Sequence, residues 1–159
     1  MTGRLPACGS GNFRPGVRRL DPSDMRAAAV VHREARHEAT PWLAALHTPE
    51  EDRWYFEQRV LPACRLWGAL DQAELVGIIA FRDDWIDHLY ILPKAQGRGI
   101  GTELLTLAQS SFDRLHLWTF QRNRQARLFY EARGFALARE TDGARNEENE
   151  PDSLYVWQR

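Results

Sequence analysis

The first sixty residues carry a short strand pattern followed by two helix signals. Val17 to Leu20 predicts a first strand. Asp21-Pro22-Ser23-Asp24 predicts the start of a helix to about Arg36, because Asp21 accepts from free N–H groups and proline suits the first helical position. Thr48-Pro49-Glu50-Glu51 has the form of a capping box and predicts a second helix to about Val60. The segment between these helices has no clean period and is predicted to link them.

The middle of the chain is predicted to form a sheet. Two β-rich runs, Arg65 to Asp71 and Glu74 to Phe81, are separated by a tight polar turn and predict an antiparallel hairpin. Trp85 to Leu92 is a further strand, which Pro93 ends because proline cannot donate to a ladder. Apolar residues then recur at helical spacing and predict a third helix from about Gly99 to Ser111.

The last third of the chain predicts one more strand, one more helix and a final pair of strands. Leu115 to Phe120 is the strand, and Asn123 to Arg133 has a helical pattern that Gly134 ends. Phe135 to Glu140 and Leu154 to Trp157 are the final strands. The order β-α-α-β-β-β-α-β-α-β-β indicates an α/β (α+β) fold. We expect a mixed, mostly antiparallel sheet of six to seven strands with about four helices on both faces.

Length and composition predict one domain behind a short leader. A chain of 159 residues with 43% hydrophobic residues has enough apolar material for one core. Residues 1–15 contain no apolar run, so we expect a flexible leader rather than a signal peptide or membrane anchor, and a domain over 16–159. These features favour a soluble, cytoplasmic protein without a membrane partner.

Charge and cysteine usage exclude several classes of function. The formal net charge is −1, from 21 Lys and Arg against 22 Asp and Glu, so no nucleic-acid partner is expected. Cys8 and Cys64 lie far apart and show no CxxC or Cys/His spacing. Neither a disulfide framework nor a metal site is therefore predicted.

A glycine-rich loop joins the third predicted strand of the middle sheet to the helix that follows. Gln96-Gly97-Arg98-Gly99-Ile100-Gly101-Thr102 has three alternate glycines, which let backbone N–H groups approach an anion at the positive end of a helix. Glycine-rich turns also occur merely because a helix starts close to a strand. The spacing differs from the GxGxxG of dinucleotide sites, and the Gly-Lys-Ser/Thr ending of a Walker A loop is absent. NAD and ATP are therefore disfavoured.

Two segments carry a family resemblance. Gln96 to Gly101 resembles the Q/R-x-x-G-x-G/A signature of the GNAT superfamily of acetyl-CoA-dependent N-acetyltransferases. Asn123 to Phe135 resembles the same family's second motif, N-x-x-A-x-x-x-Y-x-x-x-G-F. Two motifs in the correct order are more specific than either alone. The resemblance is strongest from Trp85 to Phe135 and faint before Leu66. It implies a GNAT-like fold and acetyl-CoA as cosubstrate, without a metal.

The resemblance also implies a set of cofactor-binding residues. In the family, the backbone of the fourth strand pairs with the pantetheine arm of CoA, and the glycine loop cradles the pyrophosphate. Asn123 matches a residue that bonds the pantetheine region, and it is equally suited to capping its helix. Arg124 and Arg127 are candidates for the 3′-phosphate or are simply solvated. The implied cofactor-binding residues are Leu89, Tyr90, Ile91, Gln96, Gly97, Arg98, Gly99, Ile100, Gly101, Thr102, Asn123 and Tyr130.

The implied reaction is direct attack of an amine on the thioester. Tyr130 matches the family's general acid, which protonates the departing CoA thiolate; the alternative is a core aromatic beside Phe129. The general base is open. Family members carry a glutamate at either of two positions that are Trp85 and Trp118 here, which favours a water-relayed base. Asp87 is the candidate catalytic residue that takes or binds the ammonium proton.

Several other residues are candidates for the acceptor side. His88 is expected on the opposite strand face from Asp87, as a satisfied structural histidine. The loop from Asp142 to Asp152 has five carboxylates and one arginine, and it either attracts an ammonium group or is a solvated hairpin loop. Two residues near the end of the first helix line a cleft or lie at a solvated helix end: Glu34 and His37. Three tryptophans form an apolar pocket or belong to the core: Trp42, Trp54 and Trp85.

The sequence thus leaves three functions in competition. The first is an enzyme that acetylates a primary amine of a small molecule or of a peptide N-terminus, as a monomer or homodimer. The second is a non-catalytic acyl-CoA-binding sensor or interaction module, which the missing glutamates favour. The third, an aminoacyl-tRNA-acetylating toxin, is disfavoured by the near-neutral charge.

Overall fold

The computed structural model describes residues 16–159, so the predicted leader and Cys8 lie outside the described residues. The described residues contain one seven-stranded sheet in the order β1-β2-β3-β4-β5-β7-β6. Its strands are β1 (Gly16–Arg19), β2 (Arg65–Asp71), β3 (Glu74–Arg82), β4 (Trp85–Ile91), β5 (Arg114–Phe120), β6 (Ala136–Thr141) and β7 (Asp152–Gln158). The predicted mixed, mostly antiparallel sheet is confirmed.

Within residues 16–159, five α-helices connect the strands of the sheet. They are α1 (Met25–Ala39), α2 (Pro49–Tyr55), α3 (Leu61–Ala63), α4 (Ile100–Ser111) and α5 (Arg124–Glu131). The predicted capping box is present, since Thr48 accepts from the Glu51 N–H at 3.2 Å and Glu51 accepts from the Thr48 N–H at 2.7 Å. A π-helical turn, Phe56–Val60, joins α2 to α3. This widened turn comes just before Pro62, whose ring cannot supply an N–H to the preceding turn.

The strand β3 is buried from Leu75 to Phe81, which requires a layer on each face of the sheet. On one face Gly77 lies under α4, where an added Cβ would come within 3.2 Å of Ile100 Cγ2. On the other face α1 packs over β3 and β4. None of the described helices combines the length and apolar character needed to span a bilayer.

The strands β4 and β5 diverge soon after they begin. They are the parallel pair of the sheet, and among the described residues their ladder contains the single pair Trp85 and His116. All other neighbouring strands pair antiparallel along most of their length. The main chain of β4 beyond Trp85 therefore faces a gap rather than a strand on its β5 side.

A β-bulge interrupts β4 on its other side, where it pairs with β3. Phe81 is opposite Ile86, whereas Ala80 is opposite His88, so Asp87 is an extra residue without a partner on β3. Because a bulge shifts the alternation of side chains by one position, the faces of β4 before and after Asp87 are out of phase. The simple two-residue alternation assumed from the sequence does not hold across this point.

Candidate functional site

Two cavities are lined in part by β4, and Tyr90 belongs to both linings. The smaller cavity, about 300 Å³, lies between β4, the glycine loop and α5. The larger cavity, about 1680 Å³, lies between α1, α2, β4, β5 and the β6–β7 loop. Tyr90 packs edge-on against His32 of α1, with ring centroids 4.9 Å apart. The two cavities thus offer separate spaces that share one wall.

The glycine loop forms one wall of the smaller cavity. Gly97 and Gly99 have φ of 76° and 81°, in the left-handed region that favours glycine. Gly99 occupies the N-cap of α4, so the first N–H groups of that helix open toward the cavity. Gly101 allows a close approach instead, since an added Cβ would lie 3.1 Å from the Phe129 ring. The loop therefore combines exposed main-chain donors with tight packing onto α5.

Side chains around the glycine loop hold it in place. Gln96 donates from Nε2 to the Ile91 carbonyl at 3.0 Å and so ties the loop to the end of β4. Arg133, just after α5, donates to the Thr102 hydroxyl from Nε at 2.9 Å and from Nη2 at 2.7 Å. Its guanidinium lies 3.7 Å from the centroid of the Phe129 ring. Arg133 lines the smaller cavity, and no carboxylate among the described residues forms an ion pair with it.

Asn123 and Tyr130, the residues singled out on the second motif, both line the smaller cavity. Asn123 Oδ1 accepts from the Ala126 N–H at 3.1 Å, so it caps α5 as well. Tyr130 is 8% exposed and lies between the rings of Phe129 and Phe135. Burial raises the pKa of its hydroxyl above the usual value of 10.0, with a further contribution from Tyr90. Tyr130 is therefore a protonated group in the wall of the smaller cavity.

The remaining predicted cofactor-binding residues fall into two groups. Leu89, Ile91, Ile100 and Thr102 line the smaller cavity together with the glycines. Arg98 is directed instead toward Asp71, 3.4 Å away. Arg127 bonds the Tyr155 hydroxyl at 2.9 Å and pairs with Glu140. Neither Arg124 nor Arg127 lines the smaller cavity, so Arg133 is the arginine that the structure places there.

The residues around the bulge of β4 differ from the sequence-based expectation. Asp87 and His88 line the same larger cavity, together with Tyr90, because the bulge cancels the alternation between them. Asp87 pairs with Arg82 at 2.8 Å and accepts from Cys64 Sγ at 3.3 Å. His88 Nε2 lies 3.2 Å from the Tyr55 hydroxyl, whereas its buried Nδ1 has no partner among the described residues. The prediction of a satisfied histidine on the opposite face is therefore wrong.

Two side-chain contacts join the β6–β7 loop to the helical side of the larger cavity. Glu148 forms an ion pair with Arg36 of α1, and Glu147 Oε1 lies 2.7 Å from Nε2 of His47, which precedes α2. Of the predicted acceptor-side residues, Glu34, His37 and Trp54 line the cavity, but Trp42 and Trp85 do not. Trp85 stacks on His116 at 4.9 Å between ring centroids. Trp118, which the sequence marked only as a missing glutamate, is part of the lining.

Two histidines beside Tyr90 are neutral at physiological pH. Burial is the main cause that lowers the pKa of His32 to about 3 and that of His88 to about 4, from 6.5. Below pH 6.5 these two histidines become protonated in the unfolded chain. In the folded protein they stay neutral until the pH approaches their lowered pKa values. We therefore expect the free energy of unfolding to decrease as the pH falls from about 6.5 to 4.

Denaturant titrations across this pH range measure that decrease, and His32→Phe should make it shallower. The phenylalanine ring suits the aromatic surroundings of His32, which include Phe56 and Tyr90. Because the effect arises from burial, it should persist at high salt, which screens surface pairs. An equal slope in His32→Phe and in the parent protein would contradict this assignment.

Comparison with known proteins defines the class of this protein. The sequence model of the Acetyltransferase (GNAT) family matches residues 31–135, which include both motifs and all the residues that line the smaller cavity. The chain belongs to this family.

Individual relatives are more distant. Peptidyl-lysine N-acetyltransferase YiaC of Escherichia coli (strain K12) is 31% identical over 72 residues, which cover 45% of this chain. The matched part spans about half of that relative, 49% of its length. The solution structure of apo-form YjaB from Escherichia coli has a TM-score of 0.73 at 23% identity, covering 91% of this chain and 98% of that one. The crystal structure of PaiA N-acetyltransferase from Thermoplasma acidophilum in complex with coenzyme A has a TM-score of 0.73 at 18% identity, covering 92% and 100%. These structures share the fold of this chain.

Proposed function

We propose that this chain is an N-acetyltransferase that moves an acetyl group from acetyl-CoA to a primary amine of a small molecule or of a peptide N-terminus. The catalytic domain in this proposal comprises residues 16–159. The observation that carries the proposal is the meeting of the two cavities at Tyr90, beside main chain of β4 that β5 leaves unpaired. Coenzyme A in the PaiA protein of the same fold supports the choice of cosubstrate.

The smaller cavity suits the phosphate and pantetheine parts of acetyl-CoA. The N–H groups at the start of α4 and the guanidinium of Arg133 supply positive charge and donors for a diphosphate. The main chain of Leu89 to Ile91 pairs with β3 on one side and has no strand partner on the β5 side, where it offers hydrogen bonds to the amides of a pantetheine arm. The thioester then lies near Tyr90 and Tyr130.

The larger cavity suits the amine. Eight carboxylates and four arginines line it, so an ammonium group is attracted. The ammonium loses one proton before attack, and the nitrogen then forms a bond to the thioester carbon. A main-chain N–H of β4 stabilises the oxyanion that this attack creates on the carbonyl oxygen, and the oxyanion collapses to the carbonyl as the C–S bond breaks. Tyr130 gives its proton to the departing thiolate. The nitrogen releases its second proton as the amide forms, and this proton restores the Tyr130 hydroxyl through water, so that one proton in total passes to solvent. Asp87 is the candidate that accepts or binds the ammonium proton, directly or through water.

Calorimetric titration with acetyl-CoA, followed by a thiol-release screen over amines, amino acids and peptides, tests this function. We expect one binding site per chain and thiol release that depends on an amine. Binding without release for any acceptor would favour an acyl-CoA-binding module instead. Absence of binding to CoA would overturn both.

A further inference from the structure

Exposed apolar side chains are concentrated in the larger cavity. Among the described residues, seven large hydrophobic side chains are clearly exposed, and four of them line this cavity. The four are Leu46, Trp54, Tyr55 and Trp118, with exposed fractions of 45%, 54%, 40% and 39%. Water contact with such side chains is unfavourable, and their convergence on one concave surface is typical of a site for an apolar ligand group.

These side chains come from different elements and surround the same space. Trp54 and Tyr55 are at the end of α2, Leu46 is in the segment before it, and Trp118 is on β5. The aromatic character continues toward β4, where Tyr55 packs edge-on against His88 at 5.8 Å between centroids. Since burial keeps His88 and His32 neutral, no imidazolium there repels an ammonium group. The cavity therefore offers aromatic surface and negative charge together.

We propose that the larger cavity selects primary amines whose ammonium group is linked by a short chain to an aromatic ring. This inference rests on the proposed acetyltransferase function and narrows its acceptor. The ammonium lies toward Tyr90 and Asp87, and the ring packs among Trp54, Tyr55 and Trp118. The same chemistry occurs in a free arylalkylamine and in a peptide that begins with an aromatic residue.

Matched pairs of acceptors test the selection. Phenethylamine is compared with ethylamine, and a short peptide beginning with Phe is compared with the same peptide beginning with Gly. Burying an aromatic ring against aromatic walls should raise kcat/KM by about 10- to 100-fold within at least one pair. A preference within the amine pair alone identifies free arylalkylamines, and a preference within the peptide pair alone identifies peptide N-termini. Equal kcat/KM within both pairs would overturn the proposal.

Substitutions test whether the aromatic side chains of the cavity cause the acceptor preference. The double variant Trp54→Ala with Trp118→Ala should remove most of the preference for the aromatic acceptor, measured as the ratio of kcat/KM for phenethylamine to kcat/KM for ethylamine. Leu128→Ala is the matched control, because Leu128 is 62% exposed and lines neither cavity. An unchanged preference in the double variant would overturn the assignment of the tryptophans.

Equilibrium binding distinguishes this proposal from the proposed catalytic function. Calorimetry of the CoA-loaded protein with phenethylamine and with ethylamine gives the acceptor preference without any chemistry. Tighter binding of phenethylamine in a protein that transfers no acetyl group would support the aromatic site and overturn the enzymatic function. Thiol release without any preference for an aromatic acceptor would support the enzymatic function and overturn the aromatic site.

Discussion

Replacing Tyr130 with Phe should lower the turnover number by about 100-fold or more while leaving the affinity for CoA within about two-fold. General acid catalysis contributes on the order of 10²- to 10⁴-fold, and the change removes only the donor oxygen. The ring still packs between Phe129 and Phe135, so the cavity keeps its shape. Since burial raises the pKa of Tyr130, its hydroxyl stays protonated throughout the physiological pH range, as a general acid requires. Single-turnover thiol release and calorimetry measure the two quantities separately.

Tyr155→Phe is the matched control for this experiment. The Tyr155 hydroxyl is also on a buried ring, and it bonds Arg127 and Glu131 rather than lining either cavity. Its loss should lower the free energy of unfolding by about 1–2 kcal/mol without reducing turnover of the folded protein. A turnover number in Tyr130→Phe equal to that of the parent protein would remove Tyr130 from the mechanism.

Replacing Arg133 with Ala should weaken binding of CoA by about 10- to 100-fold. Hydrogen bonds to charged groups contribute about 1.5–3 kcal/mol, and a guanidinium suits two phosphate oxygens at once. Two bonds to the Thr102 hydroxyl and the Phe129 ring already hold the Arg133 guanidinium at the start of α4. Little side-chain entropy is therefore lost on binding, which adds to the expected effect.

A series of shortened ligands identifies the group that Arg133 contacts. Pantetheine lacks all phosphates, so its affinity should not depend on Arg133. Dephospho-CoA keeps the diphosphate and lacks the 3′-phosphate, so an unchanged loss with this ligand assigns the contact to the diphosphate. Arg114→Ala is a suitable control, since Arg114 is exposed at the start of β5 and lines neither cavity. Equal weakening of pantetheine and CoA in Arg133→Ala would show that the effect comes through the fold.

Local sequence signals predicted the glycine loop and the capped starts of two helices. The capping box at Thr48, the glycine loop and the cap at Asn123 depend on neighbours a few residues away, which the sequence shows directly. Predictions of helix ends were less accurate where tertiary contacts determine the end. The helix α1 continues to Ala39, past the predicted end at Arg36, and the second predicted helix passes through a π-helical turn to Ala63.

Features of the larger cavity depend on contacts between distant parts of the chain. The bulge that brings Asp87 and His88 to one cavity arises from pairing with β3. The sequence of β4 contains no local signal that predicts this bulge. The pair of Arg36 and Glu148 joins residues 112 positions apart. Arg133 occupies an unspecified position of the second motif, so the motif gave no reason to select it. Ala35 and Ala39 line the smaller cavity, and their four-residue spacing on α1 was a usable signal.

The early separation of β4 from β5 has a mechanical consequence for the whole molecule. Across the part of the sheet that the structure describes, a single ladder pair, Trp85 with His116, joins strands β1–β4 to strands β5–β7. A sheet normally resists bending because many backbone hydrogen bonds join each pair of neighbouring strands. Here β4 and β5 diverge after one ladder pair, so the two parts of the sheet form a V-shaped opening. A molecule that binds in this opening and hydrogen-bonds to both strands would replace the missing strand-to-strand bonds. Ligand binding would therefore make the protein more rigid.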